Sequence, residues 1–313
     1  MGIIFCIEEG WDDIMKIVMI GIGDIAQKAY LPILSTLEGI ELWLCSRNEV
    51  ILRECLHKYK SIHCTTDLDA LIEEGIDAAF VHAATEVHPE ICYKLLSNRI
   101  PTYVDKPVGY HFETIRELYA LAKSQDVFFK VGFNRRYIPM LKSLRNDDAY
   151  NMIHYEKNRV FSPALPRTFI YDDFIHVIDT LLYLMSEPIH HFWVKGFYQD
   201  KKLIGVSLQL YGANRSAVGI MHRNAGITEE TITVIGNGEK RILRNLDALE
   251  VLRDGQKTVY FTDPWLPILT RRGFKSIIEA FLEQVSKDNG YQESSEKDLQ
   301  THELCEAIVK RLE

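Results

Sequence analysis

The chain has 313 residues, 47% of them hydrophobic, with a net charge of −8 and a pI near 5.8. That length suits two domains with sizeable cores, and the acidic balance argues against nucleic acid or an anionic membrane as the main partner. No apolar run approaches a membrane span, and six cysteines without CxxC or zinc-like spacing read as reduced, buried thiols of a cytoplasmic protein.

Gly2 to Ile7 is apolar but too short for a signal-peptide core, and it lacks a basic flank. Met15 is therefore expected to be the natural start, with residues 1–14 an N-terminal extension. Lys16 to Pro32 then organises the first half. Ile17-Val18-Met19-Ile20 has the β-branched, apolar character of a buried strand. Gly21-Ile22-Gly23 follows, and Asp24-Ile25-Ala26 opens a helical pattern. Strand, glycine turn and helix make the context of a dinucleotide-binding fingerprint. Gly21 permits the tight turn, Gly23 lets backbone approach a pyrophosphate, and Ala26 allows close helix–strand packing. The helix start offers free N–H groups to the phosphates.

Ile40 to Cys45 reads as a second strand, ending in Ser46-Arg47-Asn48. NAD-binding folds place a carboxylate about 20 residues past the glycines to hold the ribose hydroxyls. Here a hydroxyl and a guanidinium stand instead, and Arg47 could pair a 2′-phosphate bidentately. NADP(H) is thus favoured over NAD(H), although Glu49 could turn back to a ribose. Asp77 to Val81 is a further strand, running into His82-Ala83-Ala84-Thr85, and His88-Pro89 opens a helix to about Asn98. Pro101 to Val104 leads to Asp105-Lys106-Pro107, a helix follows from about Phe112 to Lys123, and Val127 to Val131 precedes the Gly132–Tyr137 loop. The alternation predicts a parallel, doubly wound α/β sheet. Gly21, Ser46, Ala84, Lys106 and Asn134 all stand at strand C-termini, where such sheets bind ligands.

Past residue 150 the pattern changes. Tyr150 to Val160 is strand-like, a helix is expected from about Asp173 to Met185, and Ile189 to Phe261 reads as strands broken by glycine turns. Helices from Ile268 to Ser286 and from Glu296 to Leu312 finish the chain. The expected architecture is a Rossmann domain over 15–134 and an α/β domain over 135–313 with a largely antiparallel open sheet. On the first helix of the second half, Asp172, His176, Asp179 and Tyr183 fall at i, i+4, i+7 and i+11, one polar seam on an otherwise apolar helix. The seam faces either a cleft or solvent. Lys157 and Arg159 share a strand face and could serve an acidic or phosphorylated substrate or be solvated edge charges. His190 and His191 are adjacent and cannot chelate one metal together, and nothing demands a metal.

Four motifs occur in order: Gly21, Gly23 and Ala26 with Pro32 beyond them; Thr85 with His88; Asp105-Lys106-Pro107; and Asp172, His176 and Asp179. Together they resemble the Gfo/Idh/MocA oxidoreductases over essentially the whole chain from Met15, and segments such as VDKP and DDFIHVIDT resemble its MviM branch. The resemblance implies hydride transfer between NAD(P) and a sugar- or polyol-like alcohol, in a homo-oligomer (dimer or tetramer) assembled through the open sheet. It implies cofactor contacts from Gly21, Gly23, Asp24, Ile25, Ala26, Ser46, Arg47, Ala84, Thr85, His88, Asp105, Lys106 and Asn134. Lys106, His176 and Asp172 would be catalytic, with Arg136, Lys157, Asp172 and His176 on the substrate side. His176 suits the role of base, and Lys106 that of partner to an alkoxide. Asp179 is expected to hold its helix in place. Two departures stand out: Asp105 replaces the usual Glu, and Arg167–Tyr171 replaces a glycine-rich lead-in. A nucleotide-binding sensor and a redox-driven glycoside-cleaving enzyme are the alternatives.

Overall fold

Apolar β-branched runs bounded by glycine become central strands buried on both faces, and this fixes the first half of the fold. The computed structural model describes residues 14–145, 150–287, 290–292 and 294–313; the expected extension lies almost wholly outside them. β1 (Met15–Ile20), β2 (Ile40–Cys45), β3 (Ile62–Thr65), β4 (Ala78–Val81), β5 (Thr102–Val104) and β6 (Phe129–Val131) form one sheet in the order β3-β2-β1-β4-β5-β6. The pairs from β3 through to β5 are parallel. This is the doubly wound dinucleotide-binding order, whose switch point lies between β1 and β4.

The helix after β1 spans 24–34, and its middle, Ala26–Tyr30, is π-wound. In a regular α-helix the Pro32 ring would strike the Lys28 carbonyl, and the wider turn just before it opens that spacing. Two compact units divide the chain. The first comprises the described residues up to Asp105 with Glu117–Lys130 and Ile278–Gln292; the second comprises Lys106–Arg116, Val131–Ile277 and the described part of Glu293–Glu313. The first unit thus takes a late segment into its core: Phe281 packs its ring 5.1 Å from Phe80 and 5.5 Å from both Tyr103 and Phe128.

The second unit is built on an eight-stranded sheet. β7 (Met152–Asn158) is followed by β8 (His191–Gln199), β9 (Lys202–Tyr211), β10 (Ser216–His222), β11 (Glu229–Gly236), β12 (Glu239–Arg244), β13 (Ala248–Arg253) and β14 (Gln256–Phe261). The order is β14-β13-β12-β11-β7-β10-β9-β8, antiparallel except for β7 beside β10. β7 therefore runs inside the sheet, not at an edge. A helical stretch over 166–185 packs on β7 and β10. Pro166 stands at its first turn, where the missing N–H costs nothing, so the helix begins earlier than the Asp173 expected from its apolar pattern. Ile170–Phe174 is π-wound, and Ile175–Met185 is regular α-helix. The expected helix over 268–286 is two pieces, Ile268–Arg271 and Phe274–Ser286. Between them Gly273 adopts φ +78°, and a Cβ there would lie 2.4 Å from the Asn134 carbonyl. The last helix, Ser294–Leu312, packs against the 166–185 stretch. Cys45, Cys55, Cys92 and Cys305 are buried free thiols. No helix among the described residues is long and apolar enough to cross a membrane.

Candidate active site

The glycine turn after β1 fits a dinucleotide for reasons internal to the chain. Gly21 has φ +85°, and a Cβ there would lie 2.4 Å from the Ala83 amide nitrogen. Glycine is therefore demanded by the fold itself at that position. Gly23 is different. A Cβ on it would meet only the His82 carbonyl oxygen, at 3.7 Å. Packing does not require a glycine there, whereas close approach of a phosphate to the helix start does. Ala26 is fully buried, as close helix–strand packing needs. His82, just past β4, is buried with both ring nitrogens without a hydrogen-bond partner among the described residues; burial holds its pKa down at about 3, so the ring stays neutral. After β2, the Ser46 hydroxyl accepts the Asn48 N–H at 3.2 Å, and Asn48 caps the next helix through Val50 and Ile51. Glu49 pairs with Arg53 at 2.8 Å on the exposed face of that helix. Arg47 is exposed and without a partner among the described residues.

The second unit holds a cluster of opposite charges on the π-wound turn. Lys106, whose bond to Pro107 is cis, donates to the Asp172 backbone carbonyl at 2.5 Å. The Asp172 carboxylate accepts from the Tyr110 hydroxyl at 2.7 Å. Two residues beyond Lys106, the Val108 amide donates to His302 Nε2 at 3.3 Å, while His302 Nδ1 bonds the Asp298 carbonyl at 2.8 Å. His302 is thus neutral with its proton on Nδ1, and burial holds its pKa down at about 4. His176 is half-buried, and its pKa lies well below the usual imidazole value. Desolvation is the main cause; the nearby cations Arg135, Lys106, Lys157 and Arg159 add to it.

Around this histidine, Lys157 is fully buried and paired with the Asp173 carboxylate. Burial and then Arg135 bring the Lys157 ammonium down to about 7. Burial opposes ionisation of Asp173, but Lys157 and Arg159 outweigh it and hold the carboxyl well below its usual range. Arg135 bonds Glu230 at 2.8 Å, and the Tyr155 hydroxyl donates to the same carboxylate at 2.6 Å. Further along, Asp179 has turned away from this cluster. It pairs with Arg136 and accepts from the Thr301 hydroxyl at 3.1 Å, and Arg136 also reaches Asp298 at 2.6 Å.

Three comparisons bear on what this arrangement belongs to. Residues 15–133 match the model described as "Oxidoreductase family, NAD-binding Rossmann fold", and residues 139–254 match "YceM-like, C-terminal domain". A Gfo/Idh/MocA family oxidoreductase from Vibrio cholerae is 31% identical, with TM-score 0.90, covering 95% of this chain and 98% of that one. The dehydrogenase MviM from Clostridium difficile is 33% identical, with TM-score 0.89, over 95% and 99%. The chain is a Gfo/Idh/MocA oxidoreductase. YceM of Salmonella typhimurium, 27% identical over 94% of this chain and 97% of the relative, lies in the same MviM-type branch.

For this Gfo/Idh/MocA chain, Gly21, Gly23, Asp24, Ile25, Ala26, Ser46, Arg47, Ala84, Thr85 and Asp105 stand at the ends of β1, β2, β4 and β5. His88 and Asn134, also expected among the cofactor contacts, are both buried. His88 is buried and bonds the Ala83 carbonyl at 2.8 Å, so it braces the loop from beneath. Asn134 is buried and gives its amide to the Arg272 carbonyl at 2.8 Å, bracing the Gly273 turn. On the substrate side, Arg136 is committed to Asp179 and Asp298, because its guanidinium is the counter-charge for two buried carboxylates. Lys157 and Arg159 are not edge charges, because β7 is interior. Lys106, Asp172 and His176 do share one neighbourhood. The polar seam is split because the stretch is packed on two sides: Asp172 and His176 face the cationic cluster, and Asp179 faces the last helix. Tyr110, Asp173, Arg223 and His302 escaped the sequence reading. Of these, Asp173 lies in a segment that carried a signal, DDFIHVIDT.

Proposed function

We propose that this NAD-binding oxidoreductase moves hydride between a nicotinamide and the secondary alcohol or ketone of a sugar- or polyol-like substrate, with NADP(H) preferred over NAD(H). The observation that carries the reading is the grouping of Lys106, Asp172 and a neutral His176 in one neighbourhood of the second unit. When bound at the glycine turn, the nicotinamide supplies the hydride acceptor or donor; Gly21 to Ala26 would hold its pyrophosphate, and Ser46 and Arg47 the adenosine ribose. His176, uncharged at neutral pH, takes the hydroxyl proton as the alcohol is oxidised. Lys106 donates a hydrogen bond to the developing alkoxide and, in reverse, polarises the ketone. The Tyr110 bond fixes the Asp172 carboxylate, which orients a substrate hydroxyl or the imidazole. The unpartnered Arg47 and the pairing of Glu49 with Arg53 support the 2′-phosphate. Relatives named as myo-inositol dehydrogenases support the polyol class. The protein works in the cytoplasm as a homo-oligomer; exposed Phe261 and Trp265, at the β14 end of the open sheet, support a covered face.

The test follows nicotinamide absorbance with NADP⁺ or NADPH across polyols, sugars and sugar acids, comparing wild type with Lys106→Met. Loss of one well-placed donor to a developing oxyanion costs about 10²–10³ in kcat. The variant should still bind NADPH and lose turnover by about that factor. Turnover by Lys106→Met equal to wild type would sink the reading.

A further inference from the structure

Asp173 is surrounded by more positive charge than one carboxylate can use. β7 and β10 run parallel with Asn158 opposite His222, so Arg159 and Arg223 leave the sheet side by side; the Arg159 N–H bonds the His222 carbonyl at 2.8 Å. Both guanidinium groups converge on Asp173, which Lys157 already pairs. Arg159 Nε stands 3.3 Å from Oδ2 and its Nη2 3.5 Å from Oδ1, both long contacts. Arg223 Nε is 3.9 Å from Oδ2, beyond hydrogen-bond reach.

Arg223 gives only Nη2 a partner, the Ser162 hydroxyl at 2.7 Å, and its guanidinium lies over the Phe169 ring at 5.1 Å. Its Nε and Nη1 are buried without a hydrogen-bond partner among the described residues. Unmet buried donors are costly, and more so when charged. The other carboxylates nearby are already engaged, Glu230 by Arg135 and Asp172 by the Tyr110 hydroxyl. Arg159 and Arg223 alone outnumber the Asp173 carboxylate, and Lys157 adds to the excess when protonated, beside His176 and in a chain whose net charge is −8. Arg159 is the member with room to act, since its side chain is 33% exposed.

We propose that Arg159, backed by Arg223 and Lys157, forms an anion subsite, so that the substrate is a polyhydroxylated compound bearing a carboxylate or phosphate. This rests on the dehydrogenase reading above and narrows its substrate class. The anionic group satisfies the surplus guanidinium charge and fixes the carbinol carbon beside His176 and Lys106. A neutral polyol offers hydroxyl acceptors but no counter-charge.

Binding is the test, kept separate from turnover. Wild type, Arg159→Gln, Arg159→Lys and Lys106→Met are titrated calorimetrically at low ionic strength with D-gluconate, inorganic phosphate and, as neutral control, D-sorbitol. Wild type should bind at least one anion and show at least about tenfold weaker affinity for sorbitol, the scale of one charge-assisted pair. Arg159→Gln should lose the anion by a similar factor and Arg159→Lys should recover part of it. Preference for gluconate or phosphate distinguishes a sugar acid from a phosphate ester. Lys106→Met, which removes a cation outside the Asp173 group, should weaken the anion less than Arg159→Gln does. Equal binding of gluconate and sorbitol by wild type, or unaltered anion affinity in Arg159→Gln, overturns the subsite. In that event, turnover of a neutral polyol that is lost in Lys106→Met would leave the dehydrogenase reading standing.

Discussion

Arg136→Met tests the charge triad that anchors the helix bearing His176. Arg136 is the counter-ion of Asp179 and Asp298, whose side chains are 2% and 0% exposed. Breaking a buried ion group by removing one partner costs roughly 3–5 kcal/mol, because the orphaned charge stays desolvated. The Thr301 hydroxyl still serves Asp179, and the Val131 amide still serves Asp298 at 3.3 Å, so the lower end applies. A loss of about 3 kcal/mol lowers Tm by about 6–12 °C for a domain of this size. The sign with pH follows from Asp179, whose carboxyl is already raised by burial while Arg136 opposes the rise. Without Arg136 it climbs further, so the native state binds protons that the unfolded state releases. Stability then falls as pH increases through the window between the unfolded and the raised value. Thermal unfolding followed by circular dichroism at pH 8 and pH 5.5 should therefore show the larger deficit at pH 8. A Tm matching wild type at pH 8, or a deficit that grows with acid, would refute the argument.

Gly21→Ala and Gly23→Ala should separate fold from ligand. The first forces a Cβ against Ala83 at positive φ and should cost more than about 2 kcal/mol in chemical denaturation, whereas the second should leave stability unchanged and weaken NADPH binding in a fluorescence titration. Because His176 titrates well below the usual imidazole range, log kcat/KM should show no inflection near pH 6.5. Removing a neighbouring cation with Arg159→Gln favours the protonated ring and should shift the acidic limb to higher pH; an unmoved limb would mean the cations do not act on His176. Arg47→Asp should reduce the NADPH-to-NADH preference by about tenfold or more, read from the two KM values, and an unchanged ratio would remove Arg47 from the phosphate site.

What the sequence made legible was local. β1, β2 and the helix from His88 are visible because their signal lies within ten residues of chain, and the Lys106 and His176 motifs are contiguous. β3 was missed: Ile-His-Cys-Thr is short and half polar, and pairing with β2 alone makes it a strand. The interior position of β7 depends on which strands flank it, and β10 and β11 lie more than fifty residues away. Lys157 was therefore legible as a cation but not as a buried one. Likewise Arg136 looked available until Asp298, 162 residues on, was seen to claim it. Asp173 sits next to the motif aspartate and entered the sequence reading only as a helix start, yet it anchors the cationic cluster.

The route of the chain also sets an order of events during synthesis. The ring of Phe281 fills the space among Phe80, Tyr103 and Phe128, so the nucleotide-binding unit begun by the first strands stays open until that late helix leaves the ribosome. Arg136 waits longer still, for Asp298. A nascent chain halted near residue 270 carries every residue assigned to the chemistry, yet it has neither unit closed. Phe80, Tyr103 and Phe128 there lack the one ring that packs among all three.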